Sequence, residues 1–204
     1  MTPRIDRVVT SGTFSLDGET FDVDNNVWLL GDDDQVVVID AAHHAEPIIE
    51  AVGEREVVAM LLTHGHDDHI SAAADLWDVT HAPIWLHPAD RMLWDVLYHE
   101  VGPDHELLDG TQISVGGVEL TVLHTPGHSP GSSCVHVPDL GTVFTGDTLF
   151  QGGPGATGRS FSDRPTIETS IRERLLALPA ETVVRTGHGD STTIGEEAAR
   201  PPFS

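Results

Sequence analysis

The segment Thr63-His64-Gly65-His66-Asp67-Asp68-His69 decides how this chain is read, because it follows directly on the apolar run Val57–Leu62. A short continuous apolar run bounded by polar residues has the pattern of a buried strand. Four groups able to ligate a metal, His64, His66, Asp68 and His69, therefore stand where that strand ends. His64 and His66 are two apart, so in extended or loop backbone they converge on one ion from the same side. Asp68 and His69, at the turn into the next helix, reach a neighbouring ion. A helix-borne zinc pair would be spaced four apart, as in H-E-x-x-H, which this is not. A lone histidine is usually structural; four ligands in six residues around Gly65 are not explained by packing.

Outward from this segment, strand-like runs recur. Val27–Leu30, the acidic turn Gly31–Asp34 and Val36–Ile39 read as a hairpin. Helical character follows at Glu46–Val52, Ser71–Trp77 and Ala89–His99, with a short strand at Ile84–Leu86. Leu107–Val115 and Val118–Leu123 read as strands around the turn Gly116-Gly117, and Ser133–Val137 with Thr142–Phe144 as another pair. Gly152–Gly155 is a loop, Thr166–Leu178 a helix and Thr182–Arg185 a last strand. The order lacks the strict alternation of a doubly wound sheet and fits a four-layer αββα sandwich of two mixed sheets in one domain, residues 1–204. Trp28, Trp77, Trp85 and Trp94 are assigned to the core, and so is Cys134.

Composition narrows the partners. The 204 residues carry 33 acidic side chains against 10 basic ones, all arginine, for a formal charge of −23. A GC-rich genome accounts for the missing lysines. So acidic a chain repels nucleic acid and anionic lipid. A single cysteine forms no internal disulfide, the start MTPRIDRVVT lacks a signal-peptide core, and no run of 18 apolar residues occurs. A cytoplasmic protein with no membrane and no nucleic-acid partner is expected.

Three further segments place polar residues and glycine at a strand end: Leu123-His124-Thr125-Pro126-Gly127-His128-Ser129-Pro130-Gly131, Thr145-Gly146-Asp147-Thr148-Leu149-Phe150 and Thr186-Gly187-His188-Gly189-Asp190. In this order, with the strand end Val37-Val38-Ile39-Asp40, they resemble the metallo-β-lactamase superfamily, an αββα fold with the ligand set H-x-H-x-D-H…H…D…H. The resemblance covers nearly the whole chain. It implies His64, His66 and His128 on a first metal, Asp68, His69 and His188 on a second, and Asp147 bridging them. Two divalent ions, zinc with iron or manganese as alternatives, are then the cofactors. Asp40 is implied as a residue ordering the 64–69 loop by hydrogen bonds. Asp67 is expected to face solvent or cap the following helix, and neither His124 nor Asp190 is assigned to metal. His43, His44, His81, His87, His99, His105 and His136 are assigned to structural or surface roles.

Within the superfamily, the oxygen- or nitric-oxide-reducing branch places glutamate where His66 stands, and the nucleases act on polyanions. True β-lactamases replace the Asp–His pair. Quorum-quenching lactonases often carry tyrosine where Phe150 stands. Gly146–Phe150 with Gly158-Arg159-Ser160-Phe161 looks most like the glyoxalase II-like thioesterases, which implies Phe150, Arg159 and Phe161 as substrate-binding residues. The small molecule expected is a thioester or ester, hydrolysed by a hydroxide held between the metals, with Asp68 orienting it and taking its proton. The tail Glu196–Ser204 leaves no room for the glutathione-binding helical domain, so a thiol such as mycothiol, as its S-formyl or S-acyl ester, is the expected carrier. A lactonase or other ester hydrolase and a mononuclear-iron persulfide dioxygenase are the alternatives. The segment from Tyr98 to Leu108 is expected to form a mobile rim over the site.

Overall fold

The fold, obtained as a computed structural model, describes residues 2–203. Met1 and Ser204, the ends of the expected domain and tail, lie outside the described residues. The chain opens with a long hairpin, β1 (Arg4–Leu16) and β2 (Glu19–Gly31), paired in register along its whole length. Its turn is Asp17-Gly18, with φ of 55° and 79°. Left-handed conformation at both positions is what a two-residue hairpin turn demands, and Asp-Gly supplies it readily. Then come β3 (Gln35–Ile39), α1 (Ala45–Val52), β4 (Glu56–Leu62), α2 (Asp67–Ile70), α3 (Ala73–Thr80), β5 (Ile84–Leu86), α4 (Arg91–Leu97) and β6 (His105–Glu106). These strands form one mixed sheet in the order β1-β2-β3-β4-β5-β6.

The second half gives β7 (Gln112–Val115), β8 (Val118–His124), β9 (Ser133–Val137), β10 (Thr142–Gly146), β11 (Leu149–Phe150), β12 (Gly153–Pro154), α5 (Arg164–Ser170), β13 (Val183–Thr186), β14 (Thr192–Thr193) and α6 (Ile194–Ala198). A wider π-type turn, Ile171–Leu175, prolongs α5. The second sheet runs β14-β13-β10-β9-β8-β7, and β11 with β12 forms a small separate ribbon. The expected strand Leu107–Val115 is therefore only Gln112–Val115; buried Leu107 instead follows β6, whose partner is β5 in the other sheet.

Four layers follow from side-chain alternation. On β2, β3 and β4, Val27, Leu29, Val36, Val38, Met60 and Leu62 pack outward against α1, α3 and α4. Their neighbours Trp28, Leu30, Val37, Ile39, Ala59 and Leu61 pack inward against Leu120, Val122, Val135, Val137 and Phe144 of the second sheet. The outer face of that sheet buries Cys134, Val143 and Val184 against Ile167, Ile171 and Leu175. Each buried Val, Leu, Ile, Met or Phe among them contributes roughly 1.5–3 kcal/mol. Trp28 and Trp94 are buried, but Trp77 is 41% exposed and rests on His81. No helix among the described residues is long and apolar enough to cross a membrane.

The sandwich brings together the carboxyl ends of β3, β4, β8, β10 and β13. The rims of the two sheets are stitched there: Ser133 N donates to Thr63 O (2.8 Å), and Asn26 N to Gly187 O (2.7 Å). The four loops that carry the ligand pattern open onto this joined edge.

Candidate metal centre

At that edge the ligating atoms of His64, His66 and His128 lie within 4.8 Å of one another, as do those of Asp68, His69 and His188. A third group, His64, His69 and Asp147, spans the two. All seven residues of the ligand pattern are thus brought to one place, and hydrogen bonds at the far side of four of the five rings decide which nitrogen is bare; His66 Nε2 is buried with no partner. His69 Nδ1 donates to Asp40 Oδ2 (2.8 Å), His128 Nδ1 to Ala156 O (2.9 Å) and His188 Nδ1 to Asp24 O (2.7 Å). His64 Nδ1 donates to Thr63 Oγ1 (3.1 Å), which itself donates to Asp40 Oδ2 (3.0 Å). A neutral imidazole with Nδ1–H engaged presents a lone pair on Nε2. Four Nε2 atoms therefore face inward.

Those nitrogens face one another and the carboxylates of Asp68 and Asp147. His64 Nε2 and Asp147 Oδ1 are buried without a hydrogen-bond partner. His69 Nε2 stands 3.2 Å from His188 Nε2, and His128 Nε2 3.0 Å from His66 Nδ1. Asp147 adds Oδ1 at 3.3 Å from His69 Nε2 and Oδ2 at 3.4 Å from His188 Nε2. Converging acceptors in a buried place are unfavourable unless a cation lies among them. Nitrogen and oxygen donors in this arrangement fit divalent ions of the zinc, iron and manganese kind.

The two sides of the centre differ electrically. Burial, with neighbouring imidazoles adding to it, holds His64 well below the usual imidazole range and His66 at about 3. On the other side burial opposes protonation of His69, but Asp68, Asp147 and Asp40 outweigh it and raise it well above that range. His188 rises to about 10 because Asp147 and Asp68 overcome its burial. Asp147 goes well below the usual carboxylate range, the cations of His69 and His188 overriding burial. The carboxylates thus attract positive charge strongly, and a bound cation would meet that demand.

Three positioning groups escaped the sequence reading. Asp90, 0% exposed, accepts from Gly65 N (2.9 Å), Ser129 Oγ (2.6 Å) and Gly131 N (2.5 Å). It pins the loop carrying His64 and His66 to the loop carrying His128. Asn25 links His43 to the centre: His43 Nε2 donates to Asn25 Oδ1 (2.8 Å), and Asn25 Nδ2 donates to Asp68 Oδ2 (3.0 Å). Gly187 has no Cβ, and one built there would lie 2.4 Å from Asp147 Oδ1 and 2.8 Å from His69 Cε1. Asp40, with φ of 63°, binds Thr63 N (2.8 Å) as well as Thr63 Oγ1 and His69.

A cavity of about 640 Å³ opens above the ligands, lined by Phe14, Val23, Asp24, Phe150, Gln151, Ala156, Gly189 and Asp190 besides His66, Asp68, His128, Asp147 and His188. Its rim is made by the β1–β2 hairpin and the loops at 150–156 and 189–190, and the segment Tyr98–Leu108 does not line it. That segment is held elsewhere: Trp94 Nε1 donates to Val101 O (2.7 Å), and Tyr98 hydroxyl to Ile70 and Ser71 carbonyls. The hairpin is tied to the centre, because Asp67 caps Asp68 N and accepts from Ser15 N at 3.1 Å. Phe150 lines the cavity; Arg159 and Phe161 do not. Arg159 pairs with Glu19 (2.8 Å) and lies 4.7 Å over Phe21, and Phe161 is 51% exposed.

A four-layer sandwich with a His/Asp cluster on the joined strand ends defines a metal-dependent hydrolase. The chain belongs to the metallo-beta-lactamase superfamily, whose family profile matches residues 20–188. It is 34% identical over 194 residues to hydroxyacylglutathione hydrolase GloC of Haemophilus influenzae, covering 87% of this chain and 92% of that one. Among solved structures, BLEG-1 B3 metallo-beta-lactamase gives a TM-score of 0.81 at 31% identity, over 95% of this chain and 99% of that one. TTHA1623 in a di-iron-bound form gives 0.79 at 34% identity, over 89% and 96%.

Proposed function

We propose that this chain hydrolyses thioesters of a low-molecular-weight thiol in the cytoplasm, using two divalent ions, zinc with iron or manganese as alternatives. The observation that carries this reading is the pair of three-residue ligand groups, spanned by Asp147, at the base of one cavity. A relative named as a hydroxyacylglutathione hydrolase supports the thioester, and a relative in di-iron form supports two metals.

His64, His66 and His128 would hold one ion and Asp68, His69 and His188 the other, with Asp147 within reach of both groups. When bound, the ions supply an acidified water and draw charge from the carbonyl under attack. The chain's own groups do the positioning. Asn25 fixes Asp68 through Oδ2, which leaves Oδ1 to orient the water and take its proton. His64, His69, His128 and His188 are each held with Nδ1–H engaged by an outer acceptor, which keeps Nε2 turned into the site. Phe14, Val23 and Phe150 give the acyl group an apolar wall and keep bulk water from the carbonyl.

The test is purified protein of measured metal content, assayed on S-formylmycothiol, S-lactoylglutathione and a simple lactone, with oxygen followed in parallel. Thioester hydrolysis abolished by chelation, without oxygen uptake, is expected. Turnover of the lactone alone, or oxygen consumption with a persulfide, would overturn the reading. Mycothiol is the proposed carrier, and failure to turn over its ester removes that carrier.

A further inference from the structure

We propose that the cavity selects by charge: it takes thioesters whose thiol moiety is uncharged and disfavours anionic ones, with Asp24 and Asp190 as the residues that set the choice. This rests on the thioesterase reading and concerns the part of the substrate that lies above the reacting carbonyl.

The cavity's wall divides into an apolar half, Phe14, Val23, Phe150 and Ala156, and a polar mouth, Asp24, Gln151 and Asp190. Both carboxylates are exposed, and neither has an ion-pair partner among the described residues. No arginine lines the cavity, and the chain contains no lysine. Three arginines near this edge are engaged elsewhere, Arg185 over the face of Trp28. Arg159 is held by Glu19 and by the face of Phe21. Arg7 donates from Nε to Asn26 Oδ1 (2.8 Å) and from NH2 to Gly189 O (3.0 Å).

An anionic carrier entering here would place its carboxylates beside two unpaired aspartates with no arginine or lysine at the mouth, in a chain of net charge −23. Like charges facing across a partly desolvated opening are repelled, and this shapes specificity and encounter rate more than it shapes the chemistry. An uncharged carrier bearing hydroxyl or amide groups loses nothing to this field. Its donors can be accepted by Asp24, Asp190 and the Gln151 amide oxygen.

The experiment compares anionic S-lactoylglutathione with its diethyl ester, which loses both carboxylate charges and keeps the ammonium, and takes the small uncharged S-lactoyl-N-acetylcysteamine as the neutral reference. In the metal-loaded protein, kcat/KM for the diethyl ester should exceed that for lactoylglutathione by about tenfold or more at low salt, the ratio shrinking as salt screens the field. Asp24→Asn and Asp190→Asn, each with metal content checked, should move the ratio toward one. Equal or better use of lactoylglutathione, a ratio insensitive to both salt and the two substitutions, or loss of lactoylglutathione turnover in Arg159→Ala would overturn charge selection while leaving thioester hydrolysis standing. No turnover of any of the three would instead overturn the thioesterase reading and this inference with it.

Discussion

Asp90→Asn is the sharpest test of how the two metal-bearing loops are held. The carboxylate takes three donors, Gly65 N and Ser129 Oγ on Oδ2 and Gly131 N on Oδ1, with no solvent exposure. Asparagine keeps the shape but replaces one acceptor by a donor. With its oxygen in the place of Oδ2, the new NH2 faces Gly131 N–H at 2.5 Å. With the oxygen in the place of Oδ1, the NH2 faces Gly65 N–H, even if Ser129 turns to accept. Either way one buried N–H is left unpaired and charge-assisted bonds are lost, at about 2–4 kcal/mol together. For a chain of this length that lowers Tm by roughly 5–15 °C. The assay is thermal unfolding of the chelated protein, so that metal binding does not enter, followed by titration of the refilled protein with metal. The variant should also bind the ion of His64, His66 and His128 more weakly, because their loop is no longer fixed to that of His128. A Tm within about 1 °C of the parent would refute the reasoning.

Asn25→Ala should strand both Asp68 Oδ2 and His43 Nε2, lowering kcat about tenfold with the fold retained; unchanged kcat in a properly metallated variant would contradict the positioning role. Gly187→Ala should force Asp147 and His69 apart and cost the second ion, read as a drop in bound metal at a near-normal circular dichroism spectrum; full occupancy would contradict it. His87 is held at about 4 by burial and by the ring of His124, stacked at 4.0 Å. Unfolded, it titrates near 6.5, so its contribution to stability is complete above that pH and is lost as pH falls from about 6.5 toward 4. Urea unfolding at pH 7.5, 6 and 5 should show a shallower decline for His87→Gln than for the parent, and identical slopes would contradict the assignment.

The sequence made the inner sandwich legible because its strands alternate between two buried faces, as Val36–Ile39 and Met60–Leu62 show. It made the ligands legible because short loops after strands concentrate them. The β1–β2 hairpin went unseen beyond Val27–Leu30, since most of its residues stay partly exposed and offer no apolar run. The dipeptide Asp17-Gly18 was the signal that could have found it. Asp90 and Asn25 carry no local motif; their partners lie 18 to 43 residues away, and only packing unites them. Arg159 matches a substrate-binding position only through resemblance to glyoxalase II-like thioesterases, and its partner, Glu19, is 140 residues distant. Net charge gained meaning only once the cavity showed where two of those charges stand unpaired.

The central claim is a two-ion centre that both groups of ligands must complete. Its most direct test is to strip the protein with chelator, return divalent ion in fractions of an equivalent, and follow bound metal and thioester hydrolysis together. The account predicts two ions per chain, and activity that reaches its maximum only as the second is bound. Full turnover at one ion per chain, or hydrolysis that survives complete removal of metal, would contradict it.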